Sequence, residues 1–199
     1  MNTDRAYHLI YALIYPFFNL FHPVRAVGRE HIPEGAAVIC PNHTSASDPF
    51  FVVYAFGRGR VMRAMAKKEV MNIPVIGWIL SKAGVFGVDR GAADIGAVKN
   101  ALRVLKEGRK LLMFPEGTRV GAGESVEAKT GAAMFAVRTG APIVPVYIPA
   151  KKRWFRPTTV VIGQPFIPQV ESRKGTSEEF RVIAADLMER IRDLEEGAQ

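Results

Sequence analysis

Two short stretches of this chain concentrate residues that could do chemistry. The first is Asn42-His43-Thr44-Ser45-Ala46-Ser47-Asp48. Histidine titrates near neutrality, so its imidazole can take a proton from an alcohol. The second ring nitrogen then needs a partner that fixes the tautomer and stabilises the imidazolium. Asp48, five residues on, could fold back across a tight turn to supply it. Such a pair is the His–Asp half of a triad without the serine, and the nucleophile becomes the substrate's own hydroxyl. The plainer reading is a loop histidine and an aspartate that only caps the next helix; for Asp48 both roles can coexist.

The second stretch is Phe114-Pro115-Glu116-Gly117-Thr118-Arg119. A carboxylate, a glycine, a hydroxyl and a guanidinium crowd one turn. Gly117 lets the backbone approach a ligand closely, and Arg119 can clamp a phosphate with two parallel hydrogen bonds. An ordinary polar turn is the alternative. Gly84-Val85-Phe86-Gly87-Val88-Asp89-Arg90 would deliver Arg90 to a sheet end as a second positive charge, or form a surface Asp–Arg pair of little energetic weight. Lys67, followed by Lys68, could reach an oxyanion or a phosphate, although a solvated turn is the commoner meaning. Lys151-Lys152-Arg153-Trp154-Phe155-Arg156 mixes cations and aromatics, as segments at a membrane surface do. Nucleic-acid binding or an exposed loop would leave the same composition.

Stepping outward from these residues, the patterning supplies elements that end where they lie. Apolar runs predict strands over 36–40, 61–66, 84–88, 110–114, 143–148 and 158–162. Helices are expected over 49–56, 74–82, 92–107 and 129–139, with Gly57, Gly108 and Gly140 as stops. In the helix over 92–107, Ile95, Val98, Leu102 and Leu105 fall on one face. Asp48-Pro49 reads as an N-cap followed by proline in the first turn. A last helix opens at Thr176, with Glu179 in capping-box spacing, and carries the stripe Phe180, Ile183, Leu187, Ile191 and Leu194. This alternation argues for a single α/β domain with a mixed, largely parallel sheet flanked by helices. Its loops at strand ends are where sites gather.

The bulk properties set bounds. The chain has 199 residues, 48% hydrophobic and 23% charged, which suits one folded domain and excludes a disordered chain. A net charge of +8 favours anionic partners such as phospholipid headgroups, coenzyme A or an acidic carrier protein. Nucleic acid fits the charge equally, but the aromatic N-terminus favours a membrane surface, so no nucleic-acid partner is expected. One cysteine, Cys40, precludes an internal disulfide and fits a reducing compartment. Residues 6–24 hold no Lys, Arg, Asp or Glu but include Pro16 and many aromatics. They read as an interfacial helix or helical hairpin lying in one leaflet, or as an apolar helix on the domain's own core. The expected division is a membrane-interface segment over 1–24 and a catalytic domain over 25–199.

Taken together and in this order, the motifs resemble the glycerolipid acyltransferase family. Its His-x4-Asp block is here NHTSASD, its second block GVFGVDR, its third FPEGTR, and its fourth the VPV-containing strand, over roughly residues 25–165. The resemblance implies an α/β sheet with a tunnel for the acyl chain. It implies transfer of a fatty acyl group from acyl-CoA or acyl carrier protein to the sn-2 hydroxyl of 1-acyl-glycerol-3-phosphate, giving phosphatidic acid. It assigns His43 as general base, Asp48 as its orienting partner and Lys67 as a candidate oxyanion stabiliser. Glu116, Gly117, Thr118 and Arg119 would bind the acceptor's phosphate, with Arg90 contributing. No metal or cofactor is implied. The location implied is the cytoplasmic face of the cell membrane, monotopic or peripheral. The same chemistry on another acceptor, such as glycerol-3-phosphate or another lysolipid, is the nearest alternative; a non-catalytic lipid-binding module is a more distant one. A hydrolase using Ser45 or Ser47 lacks the Gly-x-Ser-x-Gly elbow.

Overall fold

The computed structural model describes residues 2–89, 94–121, 127–172 and 174–197. Seven strands form one sheet: β1 (Val24–Val27), β2 (Ala37–Pro41), β3 (Met62–Lys67), β4 (Phe86–Val88), β5 (Lys110–Leu112), β6 (Ile143–Tyr147) and β7 (Thr158–Ile162). Their spatial order is β1-β7-β6-β2-β5-β3-β4. Strands β2 to β6 all run parallel, while β7 opposes β6 and β1 follows β7. The expected mixed, largely parallel α/β sheet is therefore what forms.

The central strands are apolar because both faces are covered. Every residue of β2 and of β6 is buried. Alternate side chains of β2 serve different layers. Val38 and Cys40 join a core beneath α5 (Ile95–Lys106), α6 (Gly131–Thr139) and α7 (Ser177–Glu196), whereas Ala37 and Ile39 join a core beneath α2 (Asp48–Phe56). Pro145 lies within β6 opposite Gly163 of the segment after β7; its carbonyl accepts from Gly163 N–H at 2.9 Å, and its lack of an N–H leaves the reciprocal bond of that pair unmade.

Of the two forms expected for the N-terminal segment, the structure has the single helix, α1 (Thr3–Phe21), with Pro16 inside it. In α5, Val98, Leu102 and Leu105 of the expected face pack on the core and are joined there by Ala97, Ala101 and Val104, whereas Ile95 is 67% exposed. Strand β1 was not anticipated, because its four residues alternate only between partly buried and exposed. Two further short helices, α3 (Lys68–Met71) and α4 (Ile76–Lys82), follow β3.

Helix α1 is fastened to the domain at both ends. Asp4 pairs with Arg63 and, at 2.7 Å, with Arg109. Phe18 packs on Phe51 and Tyr54 of α2.

Candidate active site

Because β2, β5 and β3 are parallel neighbours, the segments following them emerge at one edge of the sheet. His43 follows β2, Glu116 follows β5, and Lys67 closes β3. The sequence after β2 cannot continue as strand: Asn42 turns its amide onto Ile148, accepting from its N–H at 2.7 Å and donating to its carbonyl at 2.9 Å. That two-point clamp fixes the chain's exit from the sheet just before the histidine.

His43 Nδ1 lies 3.0 Å from Asp48 Oδ2. The same oxygen accepts from the backbone amides of Thr44 and Ser45, each at 2.7 Å. Asp48 is therefore not the helix cap the sequence suggested. Ser47 occupies that position without a side-chain bond, and the Asp48 carboxylate turns back into the loop. Its side chain is 0% exposed. Burial alone would push this carboxyl upward, but the bonds from His43 and the Ser45 amide, with the nearby Lys152 ammonium, hold it below the ordinary aspartate value. An ionised acceptor on Nδ1 places the proton there and leaves the lone pair on Nε2. The ring is 13% exposed and stacks on Phe114 at 4.0 Å between centroids.

The loop after β5 is joined to His43 through its backbone. Glu116 Oε2 accepts from His43 N–H at 2.8 Å, and Val120 N–H donates to the His43 carbonyl at 2.8 Å. Burial raises Glu116 to about 7, opposed by the His43 amide bond and reinforced by the nearby Asp48 charge. The Glu116 carboxyl thus bonds to the backbone of the His43 loop, beside the turn whose residues were expected to meet the phosphate. Gly117 stands at φ 69°, where a side chain would be strained and would also crowd Lys129. Thr118 and Arg119 are exposed, free to meet a ligand from solvent. Arg90 lies outside the described residues. Lys67 is 49% exposed and pairs with Glu69 at 3.0 Å. Ser45 and Ser47 bond to each other at 3.0 Å, an arrangement that commits neither hydroxyl to His43.

The acyltransferase family model matches residues 23–149, which contain His43, Asp48 and Glu116 and stop just short of Lys152. The chain belongs to the acyltransferase family. Among curated relatives, the 1-acyl-sn-glycerol-3-phosphate acyltransferase of Limnanthes alba is 33% identical over 181 residues, covering 87% of this chain and 63% of the relative. That of Bacillus subtilis is 30% identical over 181 residues, covering 86% and 88%. The crystal structure of the 1-acyl-sn-glycerophosphate acyltransferase PlsC from Thermotoga maritima superposes with a TM-score of 0.66 at 25% identity, over 97% of this chain and 79% of that one. The chain thus spans somewhat less than two thirds of the length of the Limnanthes relative.

Within this acyltransferase domain, two residues at the site carry no sequence signal of their own. Asn42 is one. The other is Lys152, whose side chain is 7% exposed and whose ammonium lies 2.8 Å from Asp48 Oδ1. In a run of four cations, nothing marks the one that turns inward.

Proposed function

We propose that this acyltransferase moves a fatty acyl group from a thioester, on coenzyme A or acyl carrier protein, to the sn-2 hydroxyl of 1-acyl-glycerol-3-phosphate, giving phosphatidic acid. The observation that carries the reading is the His43–Asp48 contact at 3.0 Å with Asp48 fully buried. It leaves one basic nitrogen beside a loop able to receive a phosphate. The names of the relatives support the acceptor.

In this reading His43 Nε2 removes the proton from the acceptor hydroxyl. The oxygen attacks the thioester carbonyl and forms the new C–O bond. The tetrahedral oxyanion then collapses, breaking the C–S bond, and the imidazolium returns its proton to the departing thiolate. Asp48 orients the ring and stabilises its charged form without itself moving a proton. Base catalysis of this kind contributes about 10²–10⁴-fold. Arg119, with Thr118 and the Gly117 backbone, receives the phosphate, and Arg90 and Lys67 are the further cations assigned to the substrate's negative charge.

We place the chain at the cytoplasmic face of the cell membrane, monotopic or peripheral. Leu9, Leu13, Phe17 and Leu20 form an exposed stripe along α1, and among the described residues no helix is long and apolar enough to cross a membrane. Such a stripe, with a net charge of +8, suits an anionic lipid surface.

The test is acyl transfer by the purified protein on liposomes. Acyl-CoA and acyl carrier protein are compared as donors. Lysophosphatidate, glycerol-3-phosphate and a lysophospholipid bearing a headgroup are compared as acceptors. The expected product is phosphatidate, with lysophosphatidate preferred. Preference for another acceptor overturns the substrate, and no transfer from either donor overturns the enzymatic reading in favour of a lipid-binding module.

A further inference from the structure

Lys152 is placed unlike its neighbours. Lys151 and Arg153 are exposed, whereas the Lys152 side chain is buried. Its ammonium bonds to Thr44 Oγ1 at 3.0 Å, sits 5.8 Å above the Phe51 ring, and meets Asp48 Oδ1 at 2.8 Å. That carboxylate oxygen has no aligned hydrogen-bond donor among the described residues, so the ammonium's charge is what compensates it. The arrangement divides the carboxylate: Oδ2 serves His43 and the loop amides, and Oδ1 serves Lys152.

The segment carrying Lys152 is itself held. Phe155 N–H donates to the Phe21 carbonyl at 2.8 Å. The Trp154 ring packs against Phe21 and His22, at 5.7 and 5.0 Å between centroids. The ammonium is therefore delivered by a fixed loop and not by a free surface chain, and a buried charge with a fixed partner exerts its field at little screening.

We propose that Lys152 is a positioning residue for the catalytic pair: it locks the Asp48 carboxylate in place and offsets part of its charge, so that Asp48 orients the His43 ring without its full negative charge acting on it. The proposal deepens the general-base reading and rests on it. Among the described residues, the charged groups facing the pair are Lys152 from the loop after β6 and Glu116 from the loop after β5. Glu116 reaches the His43 backbone and not its ring.

The test follows the His43 ring by NMR titration in the wild type, Lys152→Gln, Lys152→Met and Lys152→Arg, with His43→Gln assigning the signal. The pH dependence of kcat/KM is recorded alongside, and thermal melts confirm folding. Removing the cation leaves Asp48 uncompensated, so the His43 midpoint should rise by on the order of one pH unit. The acid limb of the rate profile should rise with it, giving about a 10-fold loss on that limb and little loss at higher pH. Lys152→Arg should restore most of both. A midpoint that stays put in a folded Gln or Met variant overturns the proposal and leaves an ion pair that only holds the loop. Failure of both to fold overturns it in the same sense. The titration needs no turnover, so an inactive wild type would refute the enzymatic reading while the role of Lys152 is still decided.

Discussion

At the scale of single residues, the site combines two carboxylates held in opposite states. Asp48 receives several donors and is kept below its ordinary value; Glu116 receives one and is raised to about 7. This difference has a consequence for stability. Unfolded, Glu116 titrates near 4.5, but folded it holds its proton up to about 7. Between those values the folded chain binds a proton that the unfolded chain has released, so this residue makes stability fall as pH rises through the window. Asp48 acts with the opposite sign and at lower pH, so it does not mask the effect. In Glu116→Gln the amide oxygen can still accept from His43 N–H, yet there is no proton to lose. Thermal unfolding from pH 4.5 to 7 should show the wild type losing stability relative to the variant; parallel curves would contradict the assignment. The histidine and aspartate were legible in the sequence because a base needs a nearby acceptor. The direction of Glu116 was not, since a turn containing Glu, Gly, Thr and Arg does not reveal which side chain faces inward. Lys152 was hidden for the same reason, inside a run that reads as solvated.

At the scale of elements, the site depends on how chain segments are tied where they leave the sheet. Asn42 joins the end of β2 to Ile148 just beyond β6 by two hydrogen bonds. Both groups of Ile148 are buried with it, so Asn42→Ala should leave them unpartnered. The expected cost is about 1–3 kcal/mol, a fall in Tm of about 2–4 °C for each kcal/mol in a domain of this size. Activity should fall as well, because the segments carrying His43 and Lys152 loosen together. A melting curve identical to the wild type would contradict the clamp. Most elements were readable in advance. Buried parallel strands show as apolar runs, as in β2 and β6, and the capping box of Thr176 and Glu179 forms as its spacing suggested. Of the four α5 residues expected on the apolar face, Ile95 alone is exposed, and Ala97 and Ala101 join that face unforeseen because alanine registers weakly as apolar although it packs closely. Asp48 looked like a cap because its residue type and the following proline fit one, while its actual donors come from the preceding loop.

At the scale of the whole molecule, the exposed stripe of α1 and the exposed Trp154 and Phe155 belong to one connected structure. Phe155 and Trp154 pack on Phe21 at the end of that helix. If this face meets a lipid surface, a charge within it should oppose docking. Burying one Leu or Phe is worth about 1.5–3 kcal/mol, so Leu13→Asp with Phe17→Asp should weaken binding to anionic liposomes at least about 10-fold while the melt stays near that of the wild type. Undiminished binding would mean that another face docks. The sheet brings His43 and the turn of Gly117, Thr118 and Arg119 to one edge, and the function proposed requires that His43 activate the acceptor hydroxyl there. The most direct measurement is kcat/KM for acyl transfer to lysophosphatidate by the wild type and by His43→Ala under identical conditions. The variant is expected to lose about 10²–10⁴-fold with its fold retained. Activity within a few-fold of the wild type would contradict the proposed role of His43.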